Sequence, residues 1–173
     1  EFSAAGATAC AACGDGSEVN LAQTGCNACA AGEASAGGAD CAACAGDTYA
    51  SGLGNAACAA CDDGARVNAD NTGCVSCDAG QAGTGGTCSG CAADTFASGL
   101  GNTACATCGP GSVTGGANSG SCDPCVAGRY EHADNRTCEV CPFGEYSVAG
   151  ATACQRCGDG SEMNLAQTGC NAC

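Results

Sequence analysis

The residues best placed to do chemistry are the 22 cysteines, every one of which belongs to a C-x-x-C motif. Eleven motifs run from Cys10-Ala11-Ala12-Cys13 to Cys170-Asn171-Ala172-Cys173, with 10 to 13 residues between one and the next. Zinc ribbons, redox couples and structural disulfides all use such pairs. A zinc ribbon commonly sets its two C-x-x-C pairs roughly 15–20 residues apart, and the spacers here are shorter. Zinc would also consume motifs two at a time, whereas eleven is odd, and added thiolates would deepen an already acidic charge. Thioredoxin-like redox chemistry needs a βαβ context, and helical periodicity is absent. Structural disulfides fit best.

Other reactive side chains are few. His132 is the single histidine, and no nucleophile is positioned beside it by a G-x-S-x-G or H-E-x-x-H pattern. Glu131, His132 and Asp134 read as a polar loop, not a catalytic set. The acidic groups Asp15/Glu18, Asp62/Asp63/Asp70 and Asp159/Glu162 have the carboxylates for weak Ca²⁺ binding, yet none spells an EF-hand, and solvated turns are expected. Asn135-Arg136-Thr137 is the one N-x-[ST] sequon, which makes Asn135 the glycosylation candidate. We expect no enzyme and no resident cofactor.

The elements that must hold the cysteines in place cannot rely on a large core. Leu, Val and Phe together number 14, and Ile and Trp are absent. Apolar burial at roughly 25 cal/mol per Å² then falls short of a backbone ordering cost of roughly 1–2 kcal/mol per residue. Covalent staples are the usual remedy in units this small. A net charge of −14, with four Arg and no Lys, excludes a general nucleic-acid binder. It suits an extracellular surface. No apolar stretch approaches the roughly 20 residues that span a bilayer. The chain opens on Glu1, so it reads as an excised piece of a longer precursor.

Motif-to-motif steps stay between 14 and 17 residues, the mark of one small unit stacked repeatedly into a rod. A longer period overlies this one. Residues 1–29 return as residues 145–173 with 24 of 29 positions identical. Residues 1–144 thus form one nine-unit block, and residues 145–173 begin the next copy. Thirty glycines and turn signals such as Asp15-Gly16 and Asp63-Gly64 predict turns and short hairpins, with strands at Thr48-Tyr49-Ala50 and Thr95-Phe96-Ala97.

Nine is odd, so exclusive pairing of motifs would give near-identical copies opposite partners. A ladder avoids this conflict: each motif sends one cysteine backwards and one forwards. Its simplest form joins Cys13–Cys26, Cys29–Cys41, Cys44–Cys58, Cys61–Cys74, Cys77–Cys88, Cys91–Cys105, Cys108–Cys122, Cys125–Cys138, Cys141–Cys154 and Cys157–Cys170. Cys10 and Cys173 would then bond beyond the two ends. Each such loop contributes roughly 3 kcal/mol on the chain-entropy account. A crossed pairing, first to first and second to second, stays open at this level.

The run Cys141-Pro-Phe-Gly-Glu-Tyr-Ser-Val-Ala-Gly-Ala-Thr-Ala-Cys154-Gln-Arg-Cys157 resembles the ephrin-receptor-like cysteine-rich repeat, related to the cysteine-rich modules of growth-factor receptors. Cys44…Tyr49, Cys91…Phe96 and Cys125…Tyr130 keep the aromatic five residues after the cysteine, as Cys141…Tyr146 does. Other repeats, such as Cys13-Gly-Asp-Gly-Ser-Glu-Val, lack it. Arrays of this kind are typical of protist and algal surface proteins, including surface antigens and proteins of flagellar hairs. The resemblance implies an extracellular, cell-surface protein. The rings of Tyr49, Phe96, Tyr130 and Tyr146, with Phe2, are expected to pack on the disulfides.

These observations predict small disulfide-rich repeats in a rod of about 16-residue units, with short β-hairpins and almost no helix. The function expected is a structural building block of an extracellular filament, flagellar hair or coat, partnered by copies of itself or other coat proteins, with glycans. The alternatives are a lipid-anchored protist surface antigen and a receptor-like ligand-binding ectodomain.

Overall fold

The computed structural model describes residues 1–3, 5–6 and 8–173. Among these residues there are twenty strands of two to four residues and no helix. Each strand pairs with a sequence neighbour in a two-stranded sheet. Thr48–Tyr49 lies antiparallel to Ala59–Ala60, and Thr95–Phe96 to Ala106–Thr107. Ala50 and Ala97, predicted to extend these strands, instead leave the ladder and are buried, each 2% exposed.

The second strand of a hairpin is typically the residue pair inside a C-x-x-C motif, as with Ala42–Ala43, Ala59–Ala60 and Gln155–Arg156. Side chains alternate along an extended strand, so positions i and i+3 point to opposite faces. One cysteine of each motif therefore faces the preceding repeat and the other faces the following one. That alternation makes the ladder.

Contacts divide the chain into two compact parts. One comprises Glu1–Cys77, Gly83–Ser89 and Gly101–Thr103; the other comprises Asp78–Ala82, Gly90–Leu100 and Ala104–Cys173. Within the first, successive repeats are joined by parallel bridges at Ala34 to Asn55 and Arg66 to Gly86. Within the second, Phe96 meets Ser119 and Tyr130 meets Ala151 in the same way.

The interiors are built from sulfur and small side chains. Cys13, Cys29, Cys44, Cys61 and Cys77 are buried in the first part, and Cys91, Cys108, Cys125 and Cys141 in the second. All nine are second cysteines of their motifs. Alanine or serine fills the space beside them, as in the cluster of Ala82, Cys91 and Ala97 against Cys105. The residue six places after the buried cysteine is buried as Ser35, Ala50, Ala97, Glu131 or Ser147. The aromatics one place earlier, at Tyr49, Phe96, Tyr130 and Tyr146, are only half-buried. All four leucines, at positions 21, 53, 100 and 165, are exposed.

Candidate functional site: a ladder of disulfides and backbone contacts

Ten disulfides join the second cysteine of one motif to the first of the next, from Cys13–Cys26 to Cys157–Cys170, with Cα–Cα distances of 5.4 to 5.8 Å. None is crossed, and Cys10 and Cys173 carry free, exposed thiols. Each disulfide closes one repeat, numbered 1 (Cys13–Cys26) to 10 (Cys157–Cys170).

A second ladder runs through the backbone, three residues after the buried cysteine. Gly16, Gly32, Gly64, Gly80 and Gly128 occupy this place. Their N–H groups donate to the next repeat, at the carbonyls of Ser35, Ala50, Gly83, Ala97 and Ser147, over 2.7 to 2.9 Å. Their carbonyls accept from the cysteine that ends their own hairpin, as Gly64 does from the Cys77 N–H at 2.8 Å. Gly64 has φ of 80°, and a Cβ there would overlap the Gly101 carbonyl two repeats on. Glycine is required for both reasons.

The carbonyl of the buried cysteine is a third recurring contact. Backbone N–H groups of Gly54, Gly101, Asn118 and Gly150 donate to the carbonyls of Cys29, Cys77, Cys91 and Cys125 over 2.7 to 2.8 Å. Elsewhere a side chain does the same work. Asn71 Nδ2 donates to Cys44 (2.6 Å), Arg136 Nη2 to Cys108 (2.8 Å) and Gln167 Nε2 to Cys141 (3.1 Å). These three donors share a left-handed backbone, with φ of 54°, 51° and 57°.

Repeats 1 and 4 also reach a later repeat through carboxylates, which act as acceptors. Asp15 Oδ1 accepts the Gly37 N–H at 2.6 Å, and Asp63 Oδ1 accepts that of Gly85 at 3.3 Å. Glu18 Oε2 also accepts the Cys41 N–H at 2.9 Å. The acidic residues considered for Ca²⁺ are thus partly engaged in joining repeats. Among the described residues, no three His, Cys, Asp or Glu side chains gather as cation ligands.

Glu131 and His132 lie on the strand Arg129–His132, not in the polar loop expected for them. Glu131 is 4% exposed and is held by two partners. Its Oε2 accepts the Gly111 N–H, and its other oxygen pairs with Arg136 Nη1. The His132 ring lies 6.1 Å from the Tyr130 ring, and its Nδ1 is buried without a hydrogen-bond partner. Asp134 is exposed in the turn that follows. Asn135 is exposed in the same turn; its Nδ2 donates to Glu139 Oε1 at 2.9 Å, and its Oδ1 accepts from Thr137 Oγ1 at 2.8 Å.

Sequence reasoning missed the glycine row, the cysteine carbonyls and the Glu131–Arg136 pair. The glycine signal was present: a glycine three places after the second cysteine recurs in most repeats. A scan against protein-family models and a search of curated proteins found no match to the chain. The ephrin-receptor-like resemblance therefore stands on its motif residues alone. The fold defines the class: a disulfide-laddered tandem-repeat protein, of the extracellular or secreted kind that keeps many disulfides oxidised. Among the described residues, no helix is long and apolar enough to cross a membrane.

Proposed function

We propose that this chain is a structural building block of a cell-surface filament, flagellar hair or coat. The observation that carries the reading is recurrence. The same disulfide closes repeat after repeat and the same glycine N–H contact joins many of them to the next, so equivalent surfaces are presented at regular intervals. Repetition of one surface is what open, head-to-tail or lateral assembly needs. The exposed leucines support it, since Leu21 and Leu165 occupy matching loops, as do Leu53 and Leu100. Asn135, exposed on its hairpin turn, is the residue that carries an N-linked glycan in this reading.

Electron microscopy of native material tests the proposal. Fibres with a constant axial repeat are expected. Dispersed, unassembled molecules would favour a surface antigen or a ligand-binding ectodomain.

A further inference from the structure

The longest hairpin among the described residues joins Arg129–His132 to Thr137–Val140 around a four-residue turn. Side chains alternate along each strand. The register therefore sets Glu131 and Cys138 on one face, and Tyr130 with Glu139 and His132 with Thr137 on the other. The first face is the inner one, where Glu131 is buried and Cys138 closes the repeat on Cys125. The second face is outward and unlike its counterparts. Opposite Tyr49 and Phe96 stand Ala59 and Ala106. Two places on from Tyr49, Phe96 and Tyr146 stand Ser51, Ser98 and Val148. In repeat 8 alone of these four, two rings stand side by side with a carboxylate across from them.

Asn135 stands in the turn at the end of this face, and its amide is held from both sides. Oδ1 accepts from the Thr137 N–H at 3.3 Å and from Thr137 Oγ1 at 2.8 Å, which makes an Asx turn. Nδ2 donates to Glu139 Oε1 at 2.9 Å. The amide nitrogen is thus directed back along the hairpin, toward the residue that faces Tyr130. The rings of Tyr130 and His132 lie 6.1 Å apart, tilted by 51°, and both residues are half-buried. Each is anchored by packing and keeps part of its surface in solvent. A group attached to Nδ2 meets this face first.

Resting on the reading of Asn135 as a glycan carrier, we propose that the outer face of this hairpin is the bed of the first sugar. The apolar C–H face of the pyranose packs on His132 and Tyr130, and Glu139 orients the linking amide. A pyranose combines an apolar face that suits aromatic rings with polar groups that suit a few placed hydrogen-bonding side chains. Attachment transfers an oligosaccharide from a lipid-diphosphate donor. The bond from the anomeric carbon to the diphosphate breaks, its electron pair leaving on the diphosphate, while the bond from that carbon to Nδ2 forms and Nδ2 gives up one proton. One N–H remains on Nδ2, so the bond to Glu139 survives attachment. The glycan is then held against repeat 8 and does not trail in solvent.

The test uses the full chain secreted from a eukaryotic host, compared with the same chain made under an inhibitor of N-glycosylation. Mass spectrometry of its peptides reads the occupancy of Asn135 separately from the sugar's contacts. On occupied protein trimmed to the first sugar, NMR is expected to show upfield-shifted sugar protons with Overhauser contacts to the His132 and Tyr130 rings. Amide exchange over residues 130–140 is expected to slow by about threefold or more relative to the unmodified chain, the size of effect a ring contact gives. His132→Ala should abolish both signatures in the occupied molecules, and His132→Phe should keep them. An occupied Asn135 whose sugar makes no ring contact would overturn this proposal and leave the glycan reading standing, as would slowing that His132→Ala does not reduce. An unoccupied Asn135 would overturn both. The ring contacts are read on the unsubstituted protein, so the outcome does not depend on either variant folding.

Discussion

Ala97 and Glu131 occupy the same place, six residues after a buried cysteine, and are 2% and 4% exposed. In the alanine repeat, the Ala97 carbonyl takes the N–H of Gly80 from the repeat before. In the glutamate repeat, the N–H of Gly111 goes to the Glu131 carboxylate instead. A buried carboxylate needs compensation, and Arg136 supplies it while also serving the Cys108 carbonyl. What the fold specifies is therefore a donor aimed at a fixed point. The acceptor is interchangeable as long as its charge is matched.

That comparison breaks most readily at Arg136. Arg136→Ala strands a buried carboxylate and frees the Cys108 carbonyl, with an expected local loss of about 3–5 kcal/mol. Native-state amide exchange across repeats 7 and 8 reads it. Ala97→Gln is the counter-test, since a neutral acceptor there should be tolerated far better than Ala97→Glu. The disulfides should be indifferent to the type of acceptor. Replacing Cys91 and Cys105 by serine, or Cys125 and Cys138, should each cost about 3 kcal/mol, because the closed loops are nearly equal in length. Equal losses by exchange or denaturation would support this, and strongly unequal ones would tie the staple to the acceptor.

The glycine row separates backbone strain from collision. Gly64→Ala meets both a φ of 80° and the Gly101 carbonyl, whereas Gly144→Ala meets only a φ of 88°. The first should lose about 1–3 kcal/mol and the second clearly less, as measured by thermal unfolding of the two variants. Smallest is Asn71→Ala, which removes one side-chain hydrogen bond to Cys44. A loss of about 1 kcal/mol is expected, confined by exchange measurements to repeats 3 and 4.

Much of this architecture was legible in the residues. The glycines and their turn signals foretold short hairpins, and Thr48, Tyr49, Thr95 and Phe96 fall on strands as expected. Spacing alone left two pairings open; the choice came from side-chain alternation on the strand that carries each motif. Glu131 was misplaced because it stands where other repeats bury alanine or serine, and a charged residue hides that correspondence. The glycine contacts were hidden for another reason. Gly64 meets Gly101 across a whole intervening repeat, a distance that local pattern reading does not reach. The aromatics attracted attention by size, yet the buried place belongs to their smaller neighbours.

The stretches between motifs vary from 10 to 13 residues, while the gap inside every motif is two. The strand explains the contrast. A longer loop bulges into solvent and leaves the sulfurs where they were. One extra residue inside a motif would turn both cysteines toward the same side, leaving one neighbour unstapled and every later repeat misdirected. Insertions are therefore tolerated in the ten connecting stretches only beyond the glycine at place three and the buried residue at place six, and are ruinous inside the eleven motifs.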